Sequence, residues 1–127
     1  MKIAVVIVRT LMGLLFLFAS ISYLANLMPP PELSGNVKLF MDGMLATGYM
    51  MTLIKGTELV CGIAFVTGRF VPLAMLVITP VIVNIFLFHL FVETSGLPVG
   101  VALVLGNLFL AHAHWGTFKP LLSARSA

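Results

Sequence analysis

The sequence predicts an all-α fold: a polytopic membrane four-helix bundle with a short amphipathic external helix between the first and second spans. Three observations predict it: a lipid-like composition, four long apolar stretches divided by polar turns, and one intervening segment of helical periodicity. Hydrophobic residues make up 61% of the chain and charged residues 9%, with a mean hydropathy of +1.16. Soluble domains carry about 45–50% apolar and about 25% charged residues. In water such a chain would expose most of its apolar surface, so lipid is the solvent that fits. Four spans of about 20 residues, each long enough for a hydrocarbon core of about 30 Å, use up most of the 127 residues. The expectation is a single integral membrane domain over 1–127, with no soluble catalytic domain beside it.

The first span is expected over residues 3–27, interrupted by Arg9 and a few small hydroxyl residues. Its apolar run exceeds the about 7–15 residues of a signal-peptide core, and three further spans follow, so it reads as a retained helix. Met28 and Pro29-Pro30-Pro31 are expected to end it, because proline cannot continue the hydrogen-bond ladder. The second span is expected over 49–67 and the third over 70–91, joined by the tight turn Thr67-Gly68-Arg69 and therefore antiparallel neighbours. Pro72 suits the first turn of the third span, whereas Pro80 sits mid-helix, where it should kink the helix and free a carbonyl. The fourth span is expected over 97–115, after the polar turn Glu93-Thr94-Ser95-Gly96.

The long connection between the first two spans carries Val37, Phe40, Met41, Met44 and Leu45, whose spacing places them on one helical face. An amphipathic helix over about residues 34–47 is expected there, started by Ser34 or Asn36 and ended by Gly48, lying on the outer surface and either covering the mouth of the bundle or resting in the interface. Gly13, Gly56, Gly62, Gly106 and the Gly96/Gly100 pair permit close helix approach.

The net charge of +3 comes from only seven Lys and Arg. They form no basic stripe, which excludes a nucleic-acid partner. They report topology instead. With four spans, Lys2, Arg9, Arg69, Lys119 and Arg125 share one side and Lys38 falls on the other. The positive-inside rule then puts both termini in the cytoplasm, and Trp115 and Phe118 at the inner interface. The single cysteine, Cys61, excludes an internal disulfide and any CxxC motif and reads as a small core filler.

Charges and amides inside the membrane carry the functional reading, since each costs at least about 2.5–3.5 kcal/mol at the bilayer centre on insertion scales. Counting from the span ends places Glu58, Asn84 and Asn107 near one depth. Lys55 lies one turn outward of Glu58 on the same face, Arg9 lies inward, and His89 and Glu93 sit four apart near the outer end. The expected polar cluster is thus Arg9, Lys55, Glu58, Asn84, His89 and Asn107. Glu58 would be its acceptor, paired with Lys55 or Arg9 and hydrogen-bonded by Asn84 and Asn107. Such a cluster either glues helices together or holds a small polar or quinone-like ligand. No metal site is expected: His89 belongs to one leaflet, His112 and His114 to the other, and the latter two point to nearly opposite sides of a helix.

Several segments together resemble the DoxX-like family of small bacterial membrane proteins. They are Arg9 with Gly13-Leu14-Leu15-Phe16-Leu17, Met28-Pro29, Phe40-Met41 with Ala46-Thr47-Gly48-Tyr49, and Lys55 with Glu58 and Gly62. Gly68-Arg69-Phe70-Val71-Pro72-Leu73-Ala74, Pro80-Val81, the run from Val83 to Phe91, Gly96-Leu97-Pro98 and Phe118-Lys119-Pro120-Leu121-Leu122 complete the likeness. The sequence departs from the pattern at Ser22-Tyr23, at Asn107 and at His112-Ala113-His114-Trp115. The resemblance implies a four-helix protein of the bacterial cytoplasmic (inner) membrane. It also implies an accessory or quinone-associated subunit of a membrane redox system, with Arg9, Lys55, Glu58, Asn84 and His89 as functional residues. A redox partner protein and a homo-oligomer are the partners this reading entails, besides the bilayer, with quinone as the one candidate cofactor and none intrinsic. Two other readings stand beside it. A small-molecule permease would need a buried polar path from His89 to Arg9, and a scaffolding or chaperone-like protein would need a dry bundle with every polar group satisfied internally.

Overall fold

In the computed structural model, which describes residues 2–27 and 32–124, each apolar stretch forms one helix. These are α1 (Lys2–Leu24), α3 (Met50–Thr67), α4 (Val71–Phe91) and α5 (Leu97–Ala113), with α2 (Gly35–Ala46) after α1 and a short α6 (Trp115–Phe118) after α5. The described residues contain no strand, and four of the helices are long and apolar enough to cross a membrane. Below, the terminal end of the bundle is the one at which α1 begins, and the lid end is the one beneath α2.

Local chemistry explains where each helix stops. Helix α1 ends three residues before the expected boundary, because Asn26 takes a left-handed conformation (φ 53°). The Asn26 N–H then donates to the Tyr23 carbonyl and the Leu27 N–H to that of Ser22, which satisfies two orphaned carbonyls. The Met28–Pro31 stop signal lies outside the described residues. Ser34 occupies the N-cap of α2 with extended backbone but makes no side-chain cap bond. Gly48, at φ 80°, turns the chain after α2 as expected. The Thr47 hydroxyl ties the corner, donating to the Met44 carbonyl (2.7 Å) and accepting from the Met50 N–H (3.0 Å). Gly68, at φ 76°, caps α3, and Phe70, also left-handed at φ 57°, opens α4. Helix α4 runs on through Pro80, whose missing N–H leaves the Leu76 carbonyl without its helical partner.

Glycines set the closest approaches. A Cβ on Gly13 would stand 2.7 Å from Val66 Cγ2 and 3.0 Å from the Gly62 carbonyl oxygen, and one on Gly62 would stand 3.1 Å from that of Gly13. The α1 and α3 backbones therefore touch through a reciprocal glycine pair, the packing that lets membrane helices associate by van der Waals contact. Gly100 seats α5 against the backbone of α4 at Phe86, and Gly106 seats it against Met12 of α1. Gly56 faces open space and closes no interface, contrary to the expectation from sequence.

The core so formed is a narrow column of Phe16, Phe65, Met75, Ile78, Ile82 and Leu110, with the Phe16 and Phe65 rings 6.3 Å apart. Around it Leu11, Phe18, Val60, Leu73, Leu105 and Leu108 are each more than half exposed, which is the surface a lipid-facing bundle presents. Trp115 is exposed at the terminal end, but Phe118 turns back and packs into the core instead of resting at an interface.

The glycine contacts set a stability contrast. Gly13→Leu must push α1 and α3 apart, and overpacking of this kind costs about 1–3 kcal/mol or more. Its melting temperature in detergent should fall clearly below wild type. Gly56→Ala meets no neighbour and gains up to about 1 kcal/mol of helix propensity, so its melting temperature should hold or rise. Equal losses in the two variants would contradict the α1–α3 contact.

Candidate functional site: a polar cavity beneath the lid helix

The lid helix owes its position to its apolar face. Val37, Phe40, Met41 and Met44 are half-buried, Leu45 at the end of the stripe is exposed, and Lys38 and Asp42 pair at 2.7 Å on the opposite, solvated side. The Phe40 ring meets Phe88 of α4 with centroids 4.8 Å apart. Beneath this contact lies a cavity of about 190 Å³, enclosed by Phe40, Met41 and Met44 from α2, by Met51, Ile54, Lys55 and Glu58 from α3, and by Val81, Asn84, Ile85, Phe88 and His89 from α4. A second lobe of about 340 Å³ shares Phe40, Met44, Ile54, Val81 and Asn84 and extends past Pro80 and Met50.

Four of the six expected polar residues line the first lobe. Lys55 Nζ donates to Glu58 Oε2 at 3.2 Å, and the Glu58 side chain is almost wholly enclosed, with Glu58 only 3% exposed. The pair is local, i and i+3 on α3, so it forms without help from another helix. The ammonium group also lies 5.9 Å from the centroid of the Tyr23 ring, a cation–π contact with the lid end of α1. Lys55 and Glu58 thereby neutralise one another at a depth where either charge alone would be costly.

His89 sits in the last turn of α4, at its lid end, with its ring packed on Gly96, where a Cβ would collide with the imidazole. Its Nδ1 lies 3.1 Å from the Glu93 main-chain oxygen. A carbonyl only accepts, so Nδ1 carries the proton and, in the neutral ring, Nε2 keeps a lone pair. His89 and Glu93, four apart on the sequence, thus meet through the backbone, whereas the Glu93 carboxylate accepts from Ser95 Oγ at 2.6 Å. Asn84 lines both lobes and makes no hydrogen bond to a described residue, so its amide is available to an occupant.

Arg9 and Asn107 lie elsewhere. Arg9 Nη1 packs against Gly68, at the terminal end of α3. That is ten residues along the helix from Glu58, or about 15 Å of rise, so Arg9 does not pair with Glu58. Asn107 is near the right depth but faces another way: its Nδ2 donates to Thr79 Oγ1 at 3.1 Å, and Thr79 in turn donates to the Met75 carbonyl. Thr79 and Asn84 are five residues apart on α4 and so project about 140° apart around it. The Asn107 Oδ1 is buried without a partner. Sequence reasoning missed the contribution of Tyr23 and the way Met41, Met44 and Met51 build the apolar wall. The amphipathic spacing of α2 carried the signal for the first two of those methionines.

Fold and site together define a multi-pass membrane protein with a lidded cavity that is apolar on most sides and polar on one. Comparison of the chain with protein-family models, with characterised proteins and with solved structures finds no match.

The ion pair makes a direct test of this geometry possible. Removing one partner of a buried pair costs about 3–5 kcal/mol, whereas replacing both by apolar groups is often neutral. Glu58→Leu should therefore lower the melting temperature in detergent sharply, and Lys55→Met/Glu58→Leu should recover most of the loss. A double variant no more stable than the single one would mean that Lys55 does not depend on Glu58.

Proposed function

We propose that this protein is a DoxX-like subunit of a membrane redox system that holds the headgroup of a quinone-like molecule and has no catalysis of its own. The observation that carries this reading is the convergence of Lys55, Glu58, Asn84 and His89 on one cavity beneath α2. Four of the five residues to which the resemblance assigns function meet there. A volume of about 190 Å³ lies below the about 300–1,000 Å³ of sites for drug-sized ligands. It therefore suits a ring-sized group, with any apolar chain continuing through the second lobe. Quinone carbonyls accept hydrogen bonds, and the Asn84 amide and the Lys55 ammonium are donors on the cavity wall.

The alternatives draw less support. The polar path that a permease needs is interrupted, because the buried Phe16 and Phe65 fill the bundle between the lid-end cavity and Arg9. The dry, self-satisfied bundle that a scaffold needs is at odds with the buried Asn107 Oδ1 and with Asn84, neither of which has a hydrogen-bond partner among the described residues. On this reading the protein sits in the bacterial cytoplasmic membrane with both termini in the cytoplasm and a redox protein as partner. The support is that Lys2, Arg9, Arg69 and Lys119 gather at the terminal end. Arg125 lies outside the described residues.

Purification in mild detergent followed by mass spectrometry of the organic extract is the experiment that decides. The wild-type protein should retain a quinone-type molecule at near-stoichiometric amount. Asn84→Leu, at a position without hydrogen bonds to described residues, should stay folded and lose it at least about tenfold, the equivalent of one good hydrogen bond to the ligand. Wild-type protein that carries no quinone and binds none when ubiquinone is added would sink the reading.

A further inference from the structure

A second groove lies not beneath the lid but on the opposite half of the bundle, along the α3–α4 seam. It measures about 640 Å³ and is walled by apolar side chains from Val60 and Val77 down to Phe70, with Arg69 at its terminal-end mouth. Val60 and Val77 lie six to seven residues from the α3–α4 turn, so the groove is about 10 Å long. That matches a stretch of acyl chain lying against the helices.

Charge says which molecule covers it. All four acidic residues of the chain, Glu32, Asp42, Glu58 and Glu93, belong to the lid half. The terminal end carries Lys2, Arg9, Arg69 and Lys119 with no acid among them. Arg69 is exposed and forms no ion pair with a described residue. Arg69 is the cation that lines the groove, and the Arg9 guanidinium packs one residue away, against Gly68. The first turn of α4 opens there too, with the Val71 and Leu73 N–H groups beyond the reach of any i−4 helical carbonyl and the positive end of the helix dipole facing the same anion. Phe70 stands 76% exposed in a left-handed conformation, a backbone state that costs a bulky residue about 1–3 kcal/mol and recurs at binding sites. An aromatic ring at that level belongs in the headgroup region.

We propose that the α3–α4 groove is a binding site for one anionic phospholipid, its phosphate held by Arg69 with Arg9 beside it and one acyl chain laid along the seam. The site is separate from the lid-end cavity and does not depend on what that cavity holds.

Native mass spectrometry of the full chain, titrated with phosphatidylglycerol or phosphatidylcholine of identical acyl chains, tests the proposal. Wild type should retain one phosphatidylglycerol in preference to phosphatidylcholine by about fivefold or more, the factor for one arginine near an anionic lipid surface. Arg69→Gln, at an exposed position without an ion pair among the described residues, should bring that ratio close to one, while Lys119→Gln, at the same end but off the groove, should leave it unchanged. Leu73→Trp, which fills the groove from an exposed position, should lower retention of both lipids alike. Absence of a preference in wild type, or equal loss from Arg69→Gln and Lys119→Gln, would overturn a built site in favour of diffuse attraction.

Discussion

A glutamate buried within the span of a membrane helix, with a half-buried lysine paired to it, constrains everything around it. Neither Lys55 nor Glu58 can face lipid as an ion at an acceptable cost, yet both belong to α3 and cannot leave it. Their i, i+3 spacing lets them meet at 3.2 Å, and the remaining valences fall to the neighbours. Tyr23 offers its ring face to the ammonium, and α2 folds back over the mouth so that the pair is not left open to the surface. A bundle of four helices does not require a fifth, amphipathic helix between the first two spans. A bundle with an ion pair less than three turns from one end gains from one, because α2 supplies cover while turning only Phe40, Met41 and Met44 to the cavity.

The glycine pair decides where the enclosed space falls. Gly13 and Gly62 bring α1 and α3 into backbone contact in the terminal half, which fixes α3 by one face and leaves its other face to α4. There the fit is looser. Cys61 Sγ donates to the Ala74 carbonyl at 3.6 Å and holds the middle of the seam, which opens into the cavity toward the lid and into the acyl-sized groove toward the turn. Close packing on one side of α3 and open packing on the other are two consequences of the same residue sizes, and α3 carries the chemistry because it stands between them.

Depth was legible in the sequence and azimuth was not. The four spans, the lid helix with its stripe of Val37, Phe40, Met41 and Met44, and the turn at Gly68 all follow from periodicity and breakers within single segments. The Lys55–Glu58 pair was readable for the same reason, since both partners lie on one helix. Asn107 shows the limit. Counting residues placed it level with Glu58, but the rotation of α5 is set by Gly100 against Phe86 and Gly106 against Met12. That rotation turns the amide toward Thr79. Arg9 fails differently: its long side chain packs at the capped end of α3 beside Gly68, a partner that no count of span depth identifies. Asn26 ended α1 by a left-handed cap that competes with a nearby proline run as a stop signal, and the nearer signal acted first.

The distribution of charge gives the molecule a polarity that its helices alone lack. In the lid half every acid but Glu32 and Glu93 has a lysine against it, and Glu93 is engaged by Ser95 and lends its carbonyl to His89. Electrostatics there is spent locally, on pairs that shape a cavity. At the terminal end the cations have no acids to meet, so their field is directed outward to whatever surrounds the bundle. The two halves therefore suit different kinds of contact. The lid half fits a small enclosed group recognised by donors at short range, and the terminal half fits an anionic surface felt at the edge of the bilayer. This segregation lets one helix seam, α3 with α4, serve both.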